Sequence, residues 1–247
     1  MTINRRDFVA TVAASSVGVL LGSEATFAAD SSKESSMPLK LNSTFKIEHS
    51  LKPLTFDPKK LHGLSEKLIL SHWENNYGGS VKTLNSVRKK LSEALSNKDT
   101  PPFLYNGLKR EHLMRTGSVV LHEVYFGNLG GNGKPSSTIS KLISEGFGSF
   151  ETWESEFRKM AQGLGGGSGW VILGYNYEFG ILDNYWSWDH MHSPAGTIPV
   201  LVMDMYEHSY QMDFGAAALK YIDAFFQNIN WEIVEARIEK ARGFKWA

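Results

Sequence analysis

Several side chains able to bind a transition metal stand among apolar residues. His72 and His122 fall on the apolar sides of two predicted helices. Asp204 and His208 stand four residues apart, directly after an apolar run that predicts a buried strand. Three imidazoles with one carboxylate suit a redox-active first-row ion, whereas a lone carboxylate argues against calcium or magnesium. The spacing leaves iron, manganese and zinc open, and each histidine taken singly is more often a hydrogen-bonded structural residue.

The composition excludes other kinds of chemistry. The chain has no cysteine, so disulfides, thiolate metal sites and cysteine nucleophiles are all ruled out. Lysine plus arginine and aspartate plus glutamate both total 26, so no net basic field attracts nucleic acid. A hydrophobic content of 42% in 247 residues is ordinary for a packed globular protein. Any metal must therefore be bound by nitrogen and oxygen.

The first part of the mature chain predicts two long helices that position His72 and His122. Apolar residues recur at helical spacing from residue 64 to about 95, with Ser65 available as the N-cap and a kink expected at Gly78-Gly79. Residues 100–102 predict a loop, and residues 111–126 predict the second helix, which a glycine-rich stretch ends. Together they predict a helical-hairpin domain over residues 37–134.

The second part predicts the sheet that positions Asp204. Runs rich in β-branched and aromatic residues predict three strands, and the short turn between the first two indicates an antiparallel hairpin. The predicted helices are 137–144, 150–162, 216–226 and 231–241, and the strands lie near 170–175, 179–185 and 198–203. We therefore expect an α+β fold, in which the helical hairpin precedes an α/β domain, residues 135–247, with a three-stranded antiparallel sheet flanked by helices.

The N-terminus has the layout of a bacterial twin-arginine export signal. Asn4-Arg5-Arg6-Asp7-Phe8 precedes an apolar, small-residue run, residues 9–21, which is too short to span a membrane stably. We expect a cleavable signal over residues 1–29 and a polar linker over 30–36, with an anchored N-terminus as the alternative and the cleavage site left open. The precursor would use the twin-arginine machinery, and the mature protein would be periplasmic or otherwise exported from a bacterial cytoplasm.

The region around Asp204 and His208 resembles a known family. Asp204-Met205-Tyr206-Glu207-His208, with Tyr210, is similar to the signature D-x-W-E-H-x-Y of the iron/manganese superoxide dismutases, with Tyr206 in place of the usual tryptophan. Further motifs of that family follow in the same order along the chain. They are Lys52-Pro53-Leu54, Leu61-His62-Gly63-Leu64-Ser65, residues 122–128, Gly167-Ser168-Gly169-Trp170 and Asn230-Trp231-Glu232.

The resemblance implies a ligand set and an activity. It makes His72, His122, Asp204 and His208 the ligands of one iron or manganese ion per subunit. It implies a superoxide dismutase, which converts superoxide to oxygen and hydrogen peroxide by redox cycling of that ion. The choice between iron and manganese stays open.

The positions that face the substrate depart from the family pattern. Asn76 and Ser80 stand where the family usually has a histidine and a tyrosine. In the family, a side chain outside the ligand set normally reaches the metal-bound solvent. Ser118, four residues before the second ligand, is too short for this role. We therefore expect His190 to take that role, as a histidine does in some members, with His192 as the fallback. These departures support an alternative: a dismutase-fold metal-binding protein with low or altered oxidoreductase activity.

The resemblance also implies a homodimer, with higher oligomers left open. Glu207 is expected to bond His208 of the second subunit. In the family, a tyrosine at the position of Gln211 normally meets, across the dimer, the substrate-facing histidine that Asn76 replaces. An amide contact between Asn76 and Gln211 could preserve that link. Aromatic side chains are expected around the metal, or as ordinary core packing: Trp170, Tyr125, Phe126 and Tyr206.

Overall fold

The computed structural model describes residues 43–244, which belong to one compact unit, Lys40–Ala247. The predicted fold class is confirmed: helices precede a three-stranded antiparallel sheet that further helices flank. The predicted signal and linker, residues 1–36, lie outside the described residues, and the domain boundary at residue 135 stays a prediction. Within the described part of the chain, no helix has the length and apolar character that crossing a membrane requires.

The first long helix consists of three segments. Helix α1, Glu66–Ser71, leads directly into a π-helical segment, His72–Tyr77, and then into helix α2, Gly78–Ser96. Ser65 caps α1 as predicted, because its side chain accepts a hydrogen bond from the backbone N–H of Leu68 at 3.1 Å. The irregularity lies in the turn before the double glycine, and it begins at His72. Single π-helical turns are frequent at functional sites.

Helix α3, Pro102–Gly127, completes the hairpin and packs against α2. Our prediction of its start at residue 111 was wrong, because the helix begins nine residues earlier, at the second of two prolines. Proline fits the first helical position, where its missing N–H would have no intrahelical partner. The Pro101-Pro102 pair therefore starts the helix directly.

The second part of the chain builds the sheet between helices. Strand β1, Trp170–Asn176, is central; β2, Ile181–Ser187, and β3, Thr197–Asp204, pair with it on either side, both antiparallel. The register places Trp170 opposite Asp204 on β3 and opposite Ser187 on β2. The flanking helices are α4, Ser137–Phe147; α5, Phe150–Leu164; α6, Ala218–Gln227; and α7, Trp231–Arg242. One-turn segments occur at Ser43–Lys46, Pro58–Lys60, Glu207–Ser209 and Gln211–Phe214.

Buried polar contacts fix the end of α3 to β3. The Asn128 side-chain oxygen accepts from the Val202 N–H at 3.1 Å, and its backbone carbonyl accepts from the Asn230 N–H at 2.9 Å. The Arg237 guanidinium donates to the carbonyls of Val124 and Val200, each at 3.2 Å. Because Asn128 is fully buried, these bonds replace water for groups that must be paired. They hold the helix that carries His122 against the strand that ends in Asp204.

Candidate metal centre

The four predicted ligands converge from four different elements. His72 opens the π-helical segment, His122 lies in α3, Asp204 is the last residue of β3, and His208 lies in the turn Glu207–Ser209. One nitrogen or carboxylate oxygen from each residue lies within 4.8 Å of every other. The side chains of His72, His122 and Asp204 are at most 1% exposed, and that of His208 is 26% exposed. The cluster is therefore closed on three sides and open beside His208.

The donor atoms surround a common point near one carboxylate oxygen. Asp204 Oδ2 lies 3.1 Å from His72 Nε2, 3.3 Å from His208 Nε2 and 3.6 Å from His122 Nε2. His208 Nε2 is within hydrogen-bond distance of this oxygen, but both ring nitrogens of His72 and the Nε2 of His122 are buried without a hydrogen-bond partner. An unpaired buried nitrogen is costly unless something else satisfies it. A metal ion bound by these atoms would satisfy the Nε2 atoms of His72 and His122, so the residues fit such an ion.

The electrostatics favour a cation. Burial lowers the pKa of His122 to about 3, with His72 adding to the effect, and burial also lowers the pKa of His72. Burial alone would raise the pKa of Asp204, but the neighbouring His208 and His72 hold it well below its ordinary value. At neutral pH the buried part of the cluster is thus one carboxylate with two neutral imidazoles. Neutral imidazole and ionised carboxylate are the forms that bind metals.

Backbone contacts orient the buried ligands. His122 Nδ1 donates to the Ser118 carbonyl at 2.7 Å, which leaves Nε2 with its lone pair toward the cluster. Asp204 Oδ1 accepts from the Tyr206 N–H at 2.9 Å, so Oδ2 is the oxygen left for the cluster. The Tyr221 hydroxyl donates to the Asp204 carbonyl at 2.7 Å. These contacts turn His122 Nε2 and Asp204 Oδ2 toward the cluster.

Aromatic rings enclose the cluster at the places expected from the sequence. The ring centre of Trp170 lies 5.0 Å from that of His122, and those of Tyr125 and Phe126 lie 5.2 Å and 4.9 Å from that of His72. Trp170 and Tyr125 are fully buried. Tyr206 stacks on His208, with ring centres 5.2 Å apart. The shell keeps water from the closed sides of the cluster.

Comparison with known proteins assigns the family. The description "Iron/manganese superoxide dismutases, C-terminal domain" matches residues 135–237, which include Asp204 and His208. Superoxide dismutase [Fe] of Cupriavidus metallidurans is 52% identical over 193 residues, which cover 78% of this chain and 98% of that protein. This chain belongs to the iron/manganese superoxide dismutase family. Its relatives include Superoxide dismutase [Fe] of Aquifex pyrophilus, 37% identical over 78% of this chain and 93% of that protein. Superoxide dismutase [Mn] of Mycolicibacterium smegmatis is 31% identical over 78% of this chain and 94% of that protein.

The structure places His190, rather than His192, beside the ligands of this dismutase-family chain. The ring of His190 stacks on Tyr206 with centres 4.7 Å apart, and its Nδ1 accepts from the Trp170 indole N–H at 3.1 Å. The centre of its ring lies 6.0 Å from that of His122. His192 is exposed and binds Asp189 and the Trp188 indole N–H. Of the two histidines, only His190 contacts the residues that enclose the cluster.

Ser80 contacts the ligand set indirectly. Its buried hydroxyl is bonded to that of Ser118 at 2.8 Å, and the Ser118 hydroxyl lies 3.3 Å from His122 Nδ1. Ser80 therefore connects to the edge of His122 that is turned away from the donor nitrogen. Asn76, in the π-helical segment, is half-buried.

Sequence reasoning missed a polar network behind His122. The buried Tyr77 donates its hydroxyl proton to Glu123 at 2.9 Å and accepts from the Lys52 N–H at 3.0 Å. The side chains of His49 and Lys52 also bind Glu123. The only signal in the sequence was the position of Glu123 next to a predicted ligand. The network fixes the segment before α1 to α3. It also pairs the Tyr77 hydroxyl with Glu123 and the Lys52 N–H.

The two residues expected at a dimer interface lie on the surface of the single chain. Glu207 and Gln211 are both exposed, and both follow β3 within the segment that contains His208. Glu207 immediately precedes the partly exposed ligand His208.

Proposed function

We propose that this chain is a superoxide dismutase that converts superoxide to oxygen and hydrogen peroxide. The observation that carries the proposal is the buried donor set, with unpaired Nε2 atoms on His72 and His122 facing an ionised Asp204. His72, His122, Asp204 and His208 would hold one iron or manganese ion per subunit, which would supply electron transfer to and from superoxide. The names of the relatives support both metals.

Residues of the chain itself would supply a hydrogen-bond donor beside the ligands. His190 accepts at Nδ1 from Trp170, so its neutral ring carries the proton at Nε2. Burial lowers the pKa of His190, which keeps the ring neutral near pH 7. We assign His190 as a hydrogen-bond donor that lies outside the ligand set. Its contacts with Tyr206 and Trp170 fix the orientation of its ring. Superoxide would enter beside His208, the exposed ligand.

A test of this function measures metal and rate on the same sample. The folded mature protein is purified, its iron and manganese are determined by elemental analysis, and superoxide removal is measured per metal ion. We expect near-stoichiometric metal and rapid turnover. Near-stoichiometric metal without turnover would instead support the alternative, a metal-binding protein with low activity. That alternative is favoured by Asn76, Ser80 and Gln211, which replace the family's usual substrate-facing groups.

We also infer that the protein forms a homodimer through the surface that contains Glu207 and Gln211. Support comes from the exposure of both residues beside the open ligand His208 and from the family pattern. The mass in solution, measured by light scattering, should be that of two chains. Glu207→Arg should lower this mass and weaken metal retention, whereas Glu232→Arg on another face should not. A wild-type monomer would reject the proposal.

We further infer that the precursor is exported by the twin-arginine machinery and acts in the periplasm or beyond. Support comes from Arg5-Arg6 before the apolar run of residues 9–21. Fractionation of cells expressing the full chain should find activity outside the cytoplasm. The double variant Arg5→Lys, Arg6→Lys should stay in the cytoplasm, whereas the control variant Arg110→Lys should be exported like the wild type. Export that persists in the double-lysine variant would reject this route.

A further inference from the structure

Two glycines, Gly107 and Gly117, lie in the interior of helix α3, and their surroundings differ. Gly107 is exposed, and a β-carbon built on it meets no atom within 4 Å. A β-carbon built on Gly117 overlaps the backbone carbonyl oxygen of His190 and lies 2.9 Å from its carbonyl carbon. A glycine inside a helix costs about 1 kcal/mol relative to alanine. At Gly117 this cost coincides with a close approach of another backbone, which only a residue without a side chain allows.

The backbone that approaches Gly117 belongs to a tightly bonded loop. After β2, Asp189 Oδ1 accepts from the Met191 N–H at 2.7 Å and from the His192 ring at 2.7 Å. The Ser187 hydroxyl donates to the Asp189 carbonyl at 2.6 Å, and the Ser168 hydroxyl donates to the Trp188 carbonyl at 2.8 Å. A loop bonded in this way shifts as a unit when one of its carbonyls is displaced.

A shift of this loop would move the His190 ring relative to the ligands. The ring is held at one end by the Trp170 indole N–H and along its face by Tyr206. Both contacts depend on where the His190 backbone lies against α3. Hydrogen bonds and stacking lose their geometry with small displacements, because a hydrogen bond weakens steeply with distance and angle.

We propose that Gly117 is a positioning residue for His190: its lack of a side chain lets the loop of residues 187–192 seat against α3. The inference rests on the proposed function, since it gives Gly117 a role through the outer hydrogen-bond donor. Gly117 lies on α3, five residues before the ligand His122, whereas His190 lies on the loop after β2. Gly117 touches no ligand side chain itself; it acts on the site through the His190 backbone.

The test compares Gly117→Ala with Gly107→Ala in the metal-loaded protein. Each variant is measured for metal content, the midpoint potential of the bound metal and kcat/KM, and its structure is determined. Outer-sphere changes typically cost 10–100-fold in activity, so we expect Gly117→Ala to lower kcat/KM by about tenfold. The midpoint potential should shift, metal content should stay near wild type, and the His190 ring should be displaced. Gly107→Ala should match the wild type in all four.

A double variant separates positioning from general damage to the helix. In a His190→Ala background, adding Gly117→Ala should cause no further shift in potential, because the group it positions is gone. An undiminished shift in that background, or a Gly117→Ala structure with His190 unmoved, would overturn the proposal. If Gly117→Ala does not fold, the structure of His190→Ala replaces it: the loop backbone should stay seated against Gly117 without the imidazole ring. A loop that moves away from α3 in that variant would overturn the proposal, because the ring would then position the loop. A wild-type protein without turnover would refute the proposed function, while the potential and the His190 position would still test the role of Gly117.

Discussion

The ligand cluster and the loop that carries His190 are positioned by different means. His122 and Asp204 lie on α3 and β3, where backbone hydrogen bonds orient their side chains directly. His190 lies on a loop and is oriented by the Trp170 indole, the Tyr206 ring and the space above Gly117. If the proposed roles of the ligands and of His190 hold, metal binding and the tuning of the reaction depend on different contacts. Mutations should therefore be able to change one without the other.

Removing a ligand should break the cluster most severely. In His72→Ala, the donor set loses a fully buried nitrogen, and we expect metal affinity to fall by more than about 100-fold, beyond the effect of outer-sphere changes. Elemental analysis after dialysis checks this, with exposed His192→Ala as the matched control. A His72→Ala variant that kept both metal and turnover would overturn the ligand assignment.

Metal removal should destabilise the folded chain through the same cluster. An ion present at 100 times its dissociation constant stabilises the native state by about 2.7 kcal/mol. For a protein of this size that corresponds to a fall in Tm of roughly 5–10 °C on chelation. Calorimetry with and without chelator measures it. His72→Ala should show almost no difference between the two conditions, and a large difference there would place the stabilising ion elsewhere.

A change confined to the loop should affect rate rather than metal binding. We expect His190→Ala to lower kcat/KM by about 10–100-fold while metal content stays near wild type, since no ligand is touched. His192→Ala, on the same loop, should change the rate less than about twofold because its contacts are all on the surface. Loss of metal in His190→Ala would contradict the separation between cluster and loop.

The smallest effect is expected at Ser80. Ser80→Ala removes the hydrogen bond to Ser118 and should lower the free energy of unfolding by about 1 kcal/mol. The rate per metal should change only slightly, because Ser80 meets the edge of His122 that is turned away from the donor nitrogen. Urea unfolding and a superoxide assay on one preparation check both quantities. A tenfold fall in the rate per metal ion would place the Ser80 hydroxyl on the route by which protons reach the site. The conservative variant Ser80→Thr, which keeps a hydroxyl, should then restore the rate.

Much of the fold followed from patterns that are local in the sequence. Hydrophobic spacing predicted the two long helices, and runs of β-branched and aromatic residues predicted the three strands. The start of α3 was missed because a proline pair is typical of both a loop and a helix start. The π-helical segment His72–Tyr77 was missed because nothing in residue type separates it from an α-helix.

The candidate site divides in the same way. The four ligands were predicted from the family motifs and from the apolar helix faces on which His72 and His122 lie, and the structure brings their donor atoms together. Ser80 and Ser118 were singled out separately, but their bond to each other depends on how α2 packs against α3. The fit between Gly117 and His190 joins residues far apart in the sequence, so no local pattern could have predicted it.

The order of the ligands along the chain sets when the site can form. His72 and His122 belong to the hairpin, which leaves the ribosome first, whereas Asp204 ends the last strand and His208 follows it. No complete donor set exists until that strand has been synthesised and has docked beside β1 and α3. Metal uptake by all four ligands is consequently a late event, and a loaded site marks a chain in which the helical hairpin and the last strand have already come together.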